Sequence, residues 1–582
     1  MQDIGMRPEG HRRLAVLIFE KTYRATLDAL SDGFGCQAAE IWSFDDAQSR
    51  RAAESRLAAQ GARVTCRSAL KPLVCAFREE IPTISLERAE IVYPRHPAAH
   101  PERFLREAYP LTGMFPDVDF RLVPGPKSTE MPAYRLRLIY AGGKERRLSV
   151  LAPNANQQGE LSPCGWMICD GVGARLSTSY EAIYHDAMAA IRGADFPSVP
   201  CFEELNIAVT LPSPDEALGW GNEVLSLCEA LHEELYFGML EHFQQRFGLP
   251  AGDRSLRPGQ IVPEIRVGSE CSLRIELRPW DPVTPAAPGP QPLGGAVSAL
   301  AADQIAQELA RIPGEVFAGR SVIGRPIEGR YRRGSDRPVM ITAGQHANEM
   351  SGPIGALRAG QELAQLARAH FTLCPLENPD GYALRQRLAQ HGPHHMLHAA
   401  RYTALGDDLE YREAPPLAER GMRDLAYELS GAQLHINLHG YPAHEWLRPL
   451  TGYLPRGFAD WTLPRGFLLI LRHHPGWAAT ARRLAEGIAA RLEQQPALVE
   501  FNAMQMAMAA RHAVAPGEII GGFACHLTED CRAPMPLTLI TEYPDETLSG
   551  AALIAAHDAQ TAAVIAAYEA FQALEVLDWN VG

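Results

Sequence analysis

No stretch of the 582-residue chain approaches the roughly 18 consecutive apolar residues that a membrane span needs. The N-terminus offers only a short apolar run, Leu14 to Phe19, before Glu20 and Lys21. It has neither the longer apolar core nor the small-residue cleavage site of a secretory leader. A membrane is therefore not an expected partner, and the cytoplasm is the expected location. Basic clusters are missing too. Lys and Arg number 55 against 69 Asp and Glu, a net charge of −14. Nucleic acid is not an expected partner, because phosphate binding needs clustered cations. The eleven cysteines are scattered, and the spacings of Cys164 with Cys169 and of Cys525 with Cys531 are too wide for a CxxC knuckle. Reduced, buried thiols are the expected state.

What is present is an ordinary globular composition, 46% hydrophobic and 21% charged. A chain of this length outgrows a single core, so at least two domains are expected. Six prolines and three glycines between Pro279 and Gly295 rule out a helix or central strand there and mark a linker. The organisation read from the sequence is thus an N-terminal α+β region over 1–278, a linker over 279–295 and a second domain over 296–582.

In the first region, Leu14, Leu17, Ile18, Leu27 and Leu30 lie near helical spacing and predict an opening amphipathic helix. Alternation at Tyr134, Leu136, Leu138 and Tyr140 predicts a strand, turned by Ala141-Gly142-Gly143 toward a second around Leu148 and Val150. A long helix is expected from Asp215 to Phe247, and a strand at Leu273, Ile275 and Leu277. Asp170-Gly-Val-Gly173 lacks the third glycine of a nucleotide-binding loop and reads as a plain turn. No catalytic constellation stands out in this half. Its role is open between oligomerisation, giving a homo-oligomer, covering the active site and shaping specificity.

The second region alternates apolar strands (Val339–Ala343, Phe371–Leu376, Gln433–Leu438, Leu537–Thr541) with helical stretches (352–369, 477–492, 551–574). The expected fold class is α/β, a doubly wound mixed sheet with helices on both faces. Ligands in such sheets bind beyond the carboxyl ends of strands, where strand order reverses. The reactive residues fall there. The first strand runs into Gly344-Gln-His346-Ala-Asn-Glu349, and imidazole and carboxylate are good zinc ligands. The third ends in His435-Ile-Asn-Leu-His439-Gly-Tyr441; His439 stands at its end, and His435, four residues back, reads as a core or supporting histidine. The fourth ends in Thr541-Glu542-Tyr-Pro-Asp545, where Glu542 closes an apolar strand and fits a general base.

The second strand leads into Glu377-Asn378-Pro379-Asp380-Gly381-Tyr382. Taken with Gly324-Arg-Pro-Ile327, HxxE, HxY and TxE in this order, residues 296–582 resemble the zinc carboxypeptidases of the M14 class, the funnelins. The resemblance implies one zinc ion held by His346, Glu349 and His439, with Glu542 as base. It also implies arginines downstream of NPDGY, for which Arg385, Arg387, Arg401 and Arg412 are candidates. Arg401 is the expected oxyanion partner and Arg412 the expected carboxylate anchor. Asn378 and Tyr441 are expected at the substrate. The chain departs from the family pattern in three places, the first being a gap from Glu349 to His439 shorter than in the digestive enzymes. Glu410-Tyr411-Arg412 stands where an Asn-Arg pair would anchor a C-terminal carboxylate, and the stretch Ala515 to Gly522 holds no tyrosine, for which Tyr441, Tyr402 or Tyr543 could substitute. The histidine-rich His391–His398 segment, His444-Glu445 and His473-His474 read as ordinary loop residues. The expected function is zinc-dependent hydrolysis of an amide in a peptide or amino-acid conjugate. The alternatives are an N-acyl amino-acid deacylase of the aspartoacylase kind and an inert binding protein.

Overall fold

A computed structural model describes residues 15–157, 159–196, 199–282, 289–454, 458–512 and 517–574. Of the linker, 283–288 lie outside these, as do Leu14 and residues 515 and 516.

The second half is built on a nine-stranded mixed sheet. Its spatial order is Glu315–Arg320, Pro326–Arg332, Phe371–Cys374, Val339–Ala343, Leu434–Tyr441, Leu537–Pro544, Leu468–His473, Phe523–Glu529, Glu518–Ile520. The four strands from Phe371–Cys374 to Leu537–Pro544 run parallel and are buried on both faces, as their continuous apolar runs require. Helices Ser351–Leu363, Gly550–Ala573 and Ala478–Leu492 cover one face, and Gly421–Ser430 covers the other through Met422 and Ala426. From Val339–Ala343 the chain crosses to Phe371–Cys374 on one side and later to Leu434–Tyr441 on the other. That reversal opens a crevice beyond the carboxyl ends of Val339–Ala343 and Leu434–Tyr441. Gly550–Ala573 is long and apolar enough by composition to cross a membrane, but it packs in this core between Ser351–Leu363 and Ala478–Leu492.

The first half carries three four-stranded sheets. One pairs Val16–Tyr23, Cys271–Arg278, Glu204–Leu211 and Gln260–Val267 under the helices Ser179–Gly193 and Leu227–Arg246. The expected opening helix is instead the strand Val16–Tyr23 followed by a short helix, Thr26–Leu30. Seven registered partners on Cys271–Arg278 outweigh a loose helical spacing. The long helix begins at Leu227 with Ser226 as its cap, not at Asp215, because Gly219 and Gly221 turn the chain at positive φ upstream. The hairpin Ala133–Tyr140 with Glu145–Leu151 forms as its alternation predicts, and Asp170-Gly171 turns a second hairpin.

The expectation that all cysteines are reduced is corrected here. Cys36 and Cys169 form a disulfide across 133 residues, because the strands Ala38–Ser43 and Trp166–Cys169 pair antiparallel and bring their ends together. The other nine cysteines are free, seven of them buried. The two halves also share a core. Leu384, Leu397, Tyr402, Trp446 and Phe458 pack with Leu231, Leu235, Phe237 and Ile275 in one cluster. The chain segments that follow the parallel strands of the second half are therefore clamped by the first half.

Candidate active site

Val339–Ala343 ends in Gly344, whose φ of +66° turns the chain sharply so that His346 and Glu349 face the crevice. His439 enters from the neighbouring strand. The donor atoms of His346, Glu349 and His439 all lie within 4.8 Å of one another, and all three residues are buried. His346 Nδ1 is 2.7 Å from Glu349 Oε1, His439 Nδ1 is 3.1 Å from Glu349 Oε2, and the two Nδ1 atoms are 3.0 Å apart. Ligands about 2.0–2.1 Å from a tetrahedral zinc stand roughly 3.3 Å apart, so this donor set fits such an ion if the three atoms spread by about 0.2–0.6 Å. Two imidazoles and one carboxylate are also the chemistry that a catalytic zinc takes, with a position left open.

His346 has further partners behind it. His346 Nε2 faces Asp408 Oδ2 at 3.2 Å, and Gln345 Nε2 donates to Asp408 Oδ1 at 2.8 Å. Asn437 Nδ2 donates to Gln345 Oε1 at 3.0 Å. A carboxylate on the far nitrogen of a ligating histidine fixes its tautomer and orientation. Burial alone would raise Asp408 and Glu349. The neighbouring His346 and Arg401, with His439 also beside Glu349, hold both acids below the ordinary carboxylate range.

Around these donors lies a cavity of about 120 Å³, lined by Arg401, Tyr441, Trp446, Phe458 and Glu542 among others. Glu542 is the cross-strand partner of His439 in the register of the two parallel strands. Burial and the nearby Glu349 push its carboxyl well up. Arg401 Nη1 donates to Glu349 Oε1 at 2.7 Å, and its Nε is buried without a partner. A donor is therefore left over beside these three residues.

Arg412 and Asn378 are not brought to the cavity. Arg412 is buried with its donors committed to Asp407 at 2.9 and 2.6 Å, to Thr403 at 2.6 Å, to Leu417 O at 3.2 Å and to Glu419. No donor remains for a substrate carboxylate, contrary to expectation. Asn378 caps the helix Pro379–Leu388 by accepting from Gly381 N at 2.9 Å, and its amide donates to the carbonyls of Gln345 and Tyr402. It holds the two loops together and does not touch the cavity. Tyr441 lines the wall, but its hydroxyl donates to Gly466 O and accepts from Arg465 N. Arg385 packs on Met350, and Arg387 pairs with Glu204 at 2.9 Å. His435 accepts or donates at Thr342 Oγ1, 2.8 Å away, inside the core.

The histidine-rich segment has a task the sequence did not disclose. His395 Nε2 is 2.7 Å from Asp215 Oδ2, and His398 Nδ1 is 2.6 Å from Glu233 Oε2. Both acids belong to the first half. Helix Leu227–Arg246 holds the cavity wall with three buried carboxylates: Glu229 accepts from Met396 N, Glu233 from His398 N and Glu234 from Thr451 N. Its one legible trace was three glutamates in a run otherwise fit for a core. Arg254, also from the first half, lines the cavity directly, as does Glu546, four residues beyond Glu542.

No protein-family model and no curated protein matches this sequence. Among solved structures, the chain is similar to a metallo-carboxypeptidase from Pseudomonas aeruginosa in complex with (2-guanidinoethylmercapto)succinic acid. That match has 18% identity over 51% of this chain and 72% of that one, at a TM-score of 0.29. It is similar to a metallo-carboxypeptidase from Burkholderia cenocepacia at 16% identity over 52% and 76%, TM-score 0.28. Carboxypeptidase A from Helicoverpa armigera matches at 10% identity over 63% and 97%, TM-score 0.32. Likenesses of this size carry no argument about activity, which must come from the site.

Proposed function

We propose that this protein is a metal-dependent hydrolase of amide bonds, a carboxypeptidase-like enzyme whose metal is a single zinc ion held by His346, Glu349 and His439. The observation that carries this reading is the convergence of two imidazole nitrogens and a carboxylate within 4.8 Å at the sheet's point of strand reversal, in a cavity that Glu542 also lines. Zinc, when bound, supplies a Lewis acid for the scissile carbonyl and acidifies water. Glu542, one strand over from His439, is positioned to take a proton from the attacking water and return it to the leaving amine. Arg401 is held by Glu349 and offers its unpartnered Nε toward the oxygen on which charge develops. Asp408 and Gln345 keep His346 oriented. Peptides and amino-acid conjugates are the substrates this arrangement suits.

The purified protein is expected to carry about one zinc per chain and to hydrolyse members of a panel of peptides and N-acyl amino acids. His439→Ala is expected to lose most of the metal. Full zinc occupancy in that variant, by elemental analysis, would remove His439 from the ligand set.

A further inference from the structure

Most charged groups in the cavity wall are neutralised by the protein itself. Arg401 pairs with Glu349, and Arg472 with Glu410 at 2.6 Å and Asp530 at 3.5 Å. Glu410 is shared with Arg423. Glu542 belongs to the reacting centre. Two groups are left over, and they have opposite signs.

Glu546 is 1% exposed, and neither of its carboxylate oxygens has a hydrogen-bond partner. Its one ion-pair contact among the described residues is His398 Nε2, at 3.9 Å, and that ring's other nitrogen is already engaged by Glu233. A buried acid without a hydrogen-bond partner is costly, and this one faces the cavity. Arg254 is anchored beside the metal's supporting shell, its carbonyl accepting from Asp408 N at 3.1 Å. Its guanidinium lies over the ring of Phe458 at 4.7 Å and of Tyr411 at 5.9 Å. Among the described residues it makes no ion pair. Aromatic faces hold an arginine in place without consuming its donors, which suits bidentate capture of a carboxylate. The same wall also carries the rings of Trp446, Phe458 and Trp461.

We infer that the cavity takes a doubly charged substrate, with a protonated amine against Glu546 and a carboxylate against Arg254. The inference rests on the amide-hydrolase reading and narrows its substrate to a small zwitterion such as a free dipeptide or an amino-acid conjugate with an open amine. It also gives the first half a direct part in specificity. Arg254 supplies the carboxylate contact that Arg412, fully engaged elsewhere, does not.

The test uses zinc-loaded full-length protein and four matched compounds: alanyl-phenylalanine, its N-acetyl form, its C-terminal amide and the doubly blocked form. Blocking either end is expected to lower kcat/KM by at least about tenfold, since a site built for a polar group rejects an analogue lacking it. Glu546→Gln should bring the ratio between free and acetylated dipeptide to within about twofold, and Arg254→Ala should do the same for the ratio between free acid and amide. A general structural role would lower all four compounds together and leave both ratios unchanged, and that result overturns the inference. So does equal cleavage of all four by the unaltered protein, which needs no variant to fold. If none is cleaved, the hydrolase reading has failed separately, and calorimetric titration of the same compounds decides. Binding of the free dipeptide at least about tenfold tighter than either singly blocked form upholds the inference, and equal or absent binding overturns it.

Discussion

Two regions of this molecule bury histidines and acids together, and they do so to opposite ends. Around His346, Glu349 and His439 the lone pairs converge, within 4.8 Å of one another, on an open cavity. Around Lys71, Glu223 and Glu445, at the junction of the two halves, an ammonium already fills that place. Lys71 Nζ lies 2.8 Å from Glu445 Oε2 and 3.9 Å from Glu223 Oε2, with all three side chains at most 2% exposed. His444 adds a further contact to Glu229 at 3.2 Å. A buried carboxylate needs a cation. In the second region the chain provides it as lysine; in the first, Arg401 pairs with Glu349, and the carboxylate and two imidazoles still converge in a set that could hold a further cation. Sign balance and the direction of lone pairs separate a functional cluster from a structural one, and residue type does not.

The comparison breaks most visibly at Glu542. If the first region is a reacting centre, Glu542→Gln keeps shape and zinc but cannot take a proton. Its turnover is expected to fall by at least ~10²–10⁴, with zinc content and Tm near those of the unaltered protein. Retention of more than about a tenth of the activity would remove Glu542 from the role of base. The second region predicts the reverse. Lys71→Met leaves Glu445 and Glu223 facing each other in the interior and should cost about 3–5 kcal/mol of stability, read from denaturant unfolding. Zinc affinity of the folded fraction should not change. A stable variant that loses zinc would mean the two regions are one functional unit.

A finer distinction lies in the shell around the metal ligands. Asp408 contacts His346 on the nitrogen that faces away from the donors, so Asp408→Asn should weaken zinc binding by roughly 10–100-fold while saturating zinc restores activity. Competition with a chelator of known affinity measures the first effect. Unchanged zinc affinity would show that the contact does not orient the ring.

How much of this was legible follows the same division. The four parallel strands announce themselves because apolar runs buried on both faces must end where polar residues begin, and His346, Glu349, His439 and Glu542 stand at or just beyond those ends. Arg401 was singled out among the arginines downstream of NPDGY by the family resemblance, and the structure pairs it with Glu349. Arg412 misled because a sequence shows that a guanidinium exists and not that Asp407, Thr403 and Glu419 have consumed it. Asn378 misled similarly: an asparagine before Pro379-Asp-Gly is first of all a helix cap. The clamping role of the first half was hidden because its contacts join residues more than 150 positions apart, such as Glu233 with His398. No periodicity reports a partner that far away. The opening strand failed for the same reason, its register being set by Cys271–Arg278.

The smallest effect expected is the difference in pH dependence between the regions. In the structural cluster, burial pushes Glu445 up to about 7, with Glu223 adding to the rise and Lys71 opposing it. His444 is raised to about 9 by Glu229 and Glu223 despite its burial. Both groups bind a proton more tightly folded than unfolded. Their contribution to stability is therefore fully present below their unfolded values, near 4.5 and 6.5, and is lost as pH rises through about 7 and 9. Zinc binding has the opposite sign, because His346 and His439 must be deprotonated to ligate, so the gain in Tm on adding zinc should grow with pH. Other buried acids contribute to the total slope, and the informative quantity is a difference between variants. Glu445→Gln cannot titrate. Measured without metal, the fall in Tm between pH 5 and pH 7 should be smaller in this variant than in the unaltered protein, by an amount on the order of a few °C. Identical slopes would mean that Glu445 keeps an ordinary carboxylate pKa in the folded state and that Lys71 neutralises it completely. The two regions would then differ in geometry alone.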